Sequence, residues 1–178
     1  MMHRLNSKKT LLKGSVFFSI FLIVIIVLIF LFGKRIHVFT ISDEYGKEVY
    51  YVQRVETGAQ LSHTFIHSVE LCPLTEKWTL NEQLQFVLME SWNCSFGAGI
   101  AYNAEHAGTG AMKDGFYVIK DMNVVQGPIY MHPRDFTDHH FQIDDTTLNL
   151  SERFPNEIIY IQVENYPKWK YWYYKYQL

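Results

Sequence analysis

The stretch LSHTFIHSVELCPLTEKWTL, Leu61–Leu80, decides what kind of fold this chain has. Read at period two, His63, Phe65, His67 and Val69 share one face of a strand, and Thr64, Ile66, Ser68 and Glu70 share the other. Pro73 then removes a ladder donor and restricts Cys72, so the chain turns close to that point. The segment TEKWTL returns antiparallel, with Glu76 near the turn and Trp78 inward. In this reading Glu70 and Glu76 flank one hairpin corner and can face each other.

The same alternation runs outward in both directions. RIHVFTI, EVYYVQRV and LQFVLMES lie around the hairpin, and FYVIKDM, VVQGPIYM, HHFQI, TTLNL and EIIYIQVEN follow it. They are short, rich in Val, Ile, Phe, Tyr and Thr, and separated by turn formers such as SDEYGK, ETGAQ and NEQ. No long segment of the body repeats apolar residues at helical spacing. The expected class is all-β: a single β-sandwich or β-meander domain preceded by one N-terminal transmembrane helix.

That helix is expected over 14–33, GSVFFSIFLIVIIVLIFLFG, twenty residues without a charge. About 20 helical residues cross a hydrocarbon core of roughly 30 Å. No small-x-small cleavage site follows; Phe32-Gly33-Lys34-Arg35 does, so an uncleaved anchor is expected. Residues 1–13 then form a cytoplasmic N-terminus and 36–178 an extracytoplasmic β domain, because four Lys/Arg precede the helix and two follow it. Charge divides the same way. Residues 1–35 carry six basic side chains and no acidic one, leaving ten basic and eighteen acidic in 36–178, a surplus of eight negative charges. An acidic body excludes a nucleic-acid binder, which needs a basic face.

The two cysteines, Cys72 and Cys94, either pair outside the membrane or stand as independent small thiols; neither spacing suits a zinc ribbon or a redox pair. The aromatic tail YPKWKYWYYKYQL from Tyr166 is expected to be a last strand or two sealing the sandwich. A second reading is an aromatic surface against headgroups or a membrane partner, where Trp and Tyr are at home. Residues 97–115, with five Gly and five Ala, form the longest expected loop, and AYNAEHA within it allows a helical turn.

Candidate chemistry centres on the corner. His67, Glu70 and Glu76 are metal-ligand types, and brought together they bind a divalent cation or a cationic ligand group. The alternative is that His67 and Ser68 bond the backbone of the turn while both glutamates are solvated. His139 and His140 with Asp135, Asp138, Asp144 and Asp145 form a second group of ligand types, read more readily as a polar loop. No G-x-S-x-G elbow, phosphate loop or haem, nucleotide or flavin fingerprint is present, so no catalytic residues and no resident cofactor are expected.

The order His67-Ser68-Val69-Glu70, Pro73, Glu76, Trp78, then Phe96-Gly97-Ala98-Gly99, resembles the bacterial family called domain of unknown function 1850. Its pattern runs H-S-V-E-x-x-P-x-x-E-x-W, followed after a hairpin by an acidic residue and a G-A-G turn. The resemblance covers about residues 36–100; past the glycines the family's apolar-proline pair is replaced by Ile100-Ala101. Carried over, the motif residues are His67, Ser68, Glu70, Pro73, Glu76, Gly97, Ala98 and Gly99. Family members are small, exported or membrane-anchored, and encoded beside tripartite (TRAP-type, TAXI-class) secondary transporters. The resemblance therefore implies an accessory subunit in the cell membrane whose partners are the bilayer, a polytopic permease and its solute-binding protein.

Overall fold

The computed structural model describes residues 3–94 and 108–178, with side chains described from Val16 onward except at Leu31. Helix α1, His3–Gly33, leads through Lys34 directly into strand β1, Arg35–Asp43. Along α1 the described side chains from Val16 to Phe30 are exposed, Ile25 alone being partly covered. Among the described residues no helix is long and apolar enough to cross a membrane.

The body is built from two antiparallel sheets. The smaller runs β2 (Val49–Arg54), β1, β12 (Ile159–Pro167) and β9 (Ile129–Met131). The larger runs β11 (Thr146–Asn149), β10 (His140–Ile143), β3 (Gln60–Ile66), β4 (Pro73–Leu80), β5 (Phe86–Asn93), β7 (Phe116–Lys120) and β6 (Thr109–Lys113), with β8 (Val124–Gln126) also pairing β5. A single helical turn, α2 (Leu150–Arg153), leads from β11 toward β12, capped by the Asn149 side chain, which accepts from the Glu152 N–H at 3.0 Å. Alternation decides which side chains meet. Phe39, Ile41, Ile159 and Ile161 of the small sheet pack with Leu61, Trp78, Leu80, Phe86, Leu88 and Phe141 of the large one in a shared core. This is a sandwich, as the alternating pattern predicts.

The β1–β2 turn shows how local sequence fixes the small sheet. Asp43 accepts from the backbone N–H groups of Lys47 and Glu48 at 2.6 and 3.0 Å. Gly46 sits at φ +69°, a conformation that side chains resist, so the sharp reversal falls there.

The aromatic tail corrects the sequence reading. It is not a sealing strand: β12 ends at Pro167, and Lys168–Gln177 form helix α3 on the outer face of the small sheet. Tyr171 and Tyr174 pack there against Val38, Val52 and Tyr166. Strand propensity of Tyr and Trp lost to helical spacing, because Pro167 supplies no donor and sits where a first turn starts without one.

Cys72 and Cys94 are joined by a disulfide, Cα–Cα 6.2 Å, tying the residue before β4 to the one after β5. Gly97, Ala98, Gly99 and the AYNAEHA segment lie outside the described residues.

Candidate functional site

The inner face of the large sheet changes character from one end to the other. The register Phe141↔His63↔Glu76↔Ser91↔Ile119 places five side chains in one row across β10, β3, β4, β5 and β7. Phe141 and Ile119 at the ends are buried and apolar, whereas the three residues between them are polar. One row toward the core interior lie Leu61, Trp78 and Leu88, all buried. In the opposite direction Asn93 stands across from Leu74. A polar group thus caps one end of an otherwise apolar core.

His63 is held on all sides. Its Nε2 lies 2.8 Å from Nδ1 of His139, and its ring stacks on Phe65 and His139, each at 5.0 Å between centroids. His139 is fixed in turn, because its backbone N–H donates to Ser151 Oγ at 2.8 Å and its carbonyl accepts from Leu150 at 2.8 Å. With both imidazoles buried, desolvation lowers both pKa values, His63 to about 3, and the neighbouring His139 adds to the fall at His63. The pair is therefore neutral at pH 7 and shares one N–H between two ring nitrogens.

The sign of the resulting pH dependence is fixed. An unfolded His63 takes a proton below about pH 6.5, while the folded one resists until about pH 3. Its contribution is complete above pH 6.5 and lost as pH falls toward 3, about 2 kcal/mol by pH 5. Acid titrations of thermal stability should show this slope in the wild-type chain and lose it in His63→Phe; an unchanged slope in the variant contradicts the assignment.

Glu76 sits beside this pair on the same face, and burial raises its pKa. Among the described residues it has no hydrogen-bond or ion-pair partner. Asn93 is 1 % exposed; its Nδ2 donates to Ser91 Oγ at 3.1 Å, but its Oδ1 has no partner among the described residues. Among the described residues Asn93 Oδ1 is thus a buried acceptor without a partner, whereas the partly buried Glu76 carboxylate still meets solvent. Because the folded state holds the Glu76 proton more tightly than the unfolded one, the ionised carboxylate costs stability above its pKa. Glu76→Gln should therefore be more stable than the wild-type chain at pH 7, the gain shrinking as pH falls through the raised pKa and vanishing below about pH 4.5. A loss of stability at pH 7, read by denaturant titration, would contradict this.

The corner read from the sequence is differently made. Strand β3 ends at Ile66, which pairs Pro73, so residues 67–72 form the turn. The His67 N–H donates to the Cys72 carbonyl at 2.9 Å, and Leu71 N–H to the His67 carbonyl at 2.8 Å. His67 Nδ1 accepts from the N–H groups of Val69 and Glu70 at 3.4 and 3.3 Å. His67 is thus spent on the turn's backbone. Ser68 is exposed and Glu70 half-buried in the turn, while Pro73 opens β4. Glu76 lies three residues further on, about 10 Å along the strand, so it does not converge with Glu70 or His67. Among the described residues no group of three or more His, Cys, Asp or Glu is placed to hold a metal ion.

The second histidine group also separates. His139 turns inward to His63, whereas His140 pairs with Asp138 at the surface, 2.9 Å apart. Asp144 accepts from the Gln60 N–H at 3.0 Å.

The family described as domain of unknown function (DUF1850) matches the chain over residues 61–150. The chain belongs to this family. The match begins at Leu61, not at residue 36, and runs through Leu150, well past Ile100 where the resemblance was expected to end. Its bounds follow the structure: 61–150 takes in all of the larger sheet except Gln60, the first residue of β3, and all of the polar row. The DUF1850 segment leaves out β1, β2 and β12, which with β9 make the smaller sheet, and helices α1 and α3. No curated protein and no solved structure matches the chain.

His63, Ser91, Asn93 and the part played by His139 do not stand out as a site in the sequence. A signal was present: pairing Ile66 with Pro73 across a six-residue turn sets His63 opposite Glu76. A tight corner at Cys72-Pro73 hides that register.

Proposed function

We propose that this DUF1850 protein is a membrane-anchored, extracytoplasmic accessory subunit that works by binding another protein, the permease of a tripartite, TRAP/TAXI-type secondary transporter. The single observation that carries the membrane placement is α1. Its described side chains from Val16 to Phe30 are apolar except Ser19 and exposed except Ile25, Phe17 at 74 % and Phe30 at 82 %, which water does not tolerate over so large a surface. The fifteen residues from Val16 to Phe30 make about 22 Å of helix, and the uncharged run continues in the sequence to Gly14 and Gly33. The whole run matches the roughly 30 Å hydrocarbon core. The Cys72–Cys94 disulfide supports an oxidising compartment for the body. The partner class rests on the family's association with such transporters.

Co-expression of the full chain with a permease of this class, followed by purification in mild detergent, should give co-elution at fixed stoichiometry. A chain that elutes alone and monodisperse, under conditions that keep permease and binding protein together, contradicts the subunit reading.

A second reading is favoured by the buried Asn93 Oδ1 and the partly buried Glu76 carboxylate, neither of which has a hydrogen-bond partner among the described residues. In it the polar row binds a small ligand rich in hydrogen-bond donors, or a divalent cation, with Glu76 as the charged anchor. Such a ligand binds only the folded state and raises its melting temperature. A panel of divalent cations and small amines should then shift the wild-type chain but not Glu76→Gln; no shift across the panel removes this reading.

A further inference from the structure

Helix α3 has two faces of different chemistry. Tyr171 and Tyr174 turn inward onto the small sheet. Trp169, Trp172, Tyr173 and Tyr176 are exposed at 58, 46, 55 and 82 %. Their spacing, i, i+3, i+4 and i+7, makes a single stripe on the side opposite the packed tyrosines. Lys168 and Lys175 border that stripe on one flank. On the other, Lys170 lies over the Tyr166 ring, 3.7 Å from its centroid.

The position of α3 says what covers the stripe. The backbone N–H of Lys168 donates to the carbonyl of Lys34 at 3.2 Å, and α3 touches the end of α1. Its first turn therefore lies at the level where the apolar run of α1 stops and Lys34-Arg35 begins. Trp and Tyr rings flanked by lysines are the composition of a helix lying at the headgroup boundary, where the ring bodies meet acyl chains and the polar tips stay wet. A stripe of this composition in water would be an unpaired apolar patch.

We infer that α3 is an interfacial helix, whose Trp169, Trp172, Tyr173 and Tyr176 lie in the outer headgroup region of a bilayer containing anionic lipid. The body then rests on the membrane through the outer face of the small sheet, which leaves the larger, DUF1850 sheet turned away from the lipid. The inference rests on α1 being the anchor.

The test uses the full chain reconstituted into vesicles of brominated phosphatidylcholine and phosphatidylglycerol. Emission from Trp169 and Trp172 is isolated by subtracting the double variant Trp169→Phe/Trp172→Phe, whose fold is preserved because both positions are exposed. That emission should lose most of its intensity relative to unbrominated vesicles and resist aqueous iodide, while Trp78 and Trp92 are unaffected by the bromolipid. A chain that survives carbonate washing of the vesicles, yet whose Trp169 and Trp172 are quenched by iodide and not by bromolipid, overturns the placement of α3 alone. That result would assign the stripe to a protein partner. A chain removed by the carbonate wash overturns the inference through the anchor.

Discussion

Trp78→Ala should destabilise the body by about 4 kcal/mol. Trp78 is 2 % exposed, stacks on Phe141 at 6.2 Å between centroids, and donates from Nε1 to Gln126 Oε1 at 2.7 Å. Removing the indole leaves a cavity between the two sheets and strips the tether from β8 to β4. Trp78→Phe retains most of the filled volume and should cost less than half as much, so the difference between the two variants isolates the cavity. Denaturant titration of the full chain in mild detergent measures both. Equal and small losses would mean that the indole is not a core residue. The outcome bears on the family motif, because it would make its tryptophan a packing residue and not part of a binding surface.

Reduction of Cys72–Cys94 should lower stability by about 3 kcal/mol, the entropy of closing a loop across a separation of 22 residues. The bond joins the start of the β4 edge of the polar row to the end of its β5 edge. Its loss should therefore loosen Asn93 and Glu76 together. Amide exchange at Leu74–Trp78 and Ser91–Asn93 should rise on reduction, ahead of exchange in β1 and β12. Unchanged stability on reduction, with complete thiol labelling as the control, would contradict this. Double replacement of both cysteines by serine should reproduce the reduced state.

The strands were legible because alternation reports burial directly. RIHVFTI became β1, EVYYVQRV β2, and EIIYIQVEN the core of β12; β1 is buried on both faces from Val38 to Ser42, with Tyr171 and Tyr174 packing near Val38 on the outer one. Pairing order was not legible: β1 pairs β12 from the other end of the chain, and nothing local in either strand specifies its neighbour. Helix α3 was misread because Tyr and Trp favour strands, although the 169, 172, 173, 176 spacing was in view. The site was half legible. The motif drew attention to the hairpin, and Trp78 faces inward as expected, but the carboxylate that matters faces His63 and not His67. The motif residues have separate roles. His67 closes a turn, Pro73 opens a strand, Trp78 fills the core, and Glu76 alone of these enters the polar row. A pattern in one dimension carries all four equally, and only the register separates them.

The proposed topology is a protein anchored by α1, with its body outside the cytoplasm. It is tested most directly by impermeant thiol labelling of two single-site variants, Ser7→Cys and Glu82→Cys, with the native disulfide intact, in sealed membrane vesicles of known orientation. Glu82 lies in the exposed β4–β5 turn, so its replacement leaves the fold unchanged. Glu82→Cys should label in right-side-out vesicles without detergent, and Ser7→Cys only after they are opened. Labelling of Ser7→Cys and protection of Glu82→Cys in the same vesicles would contradict it.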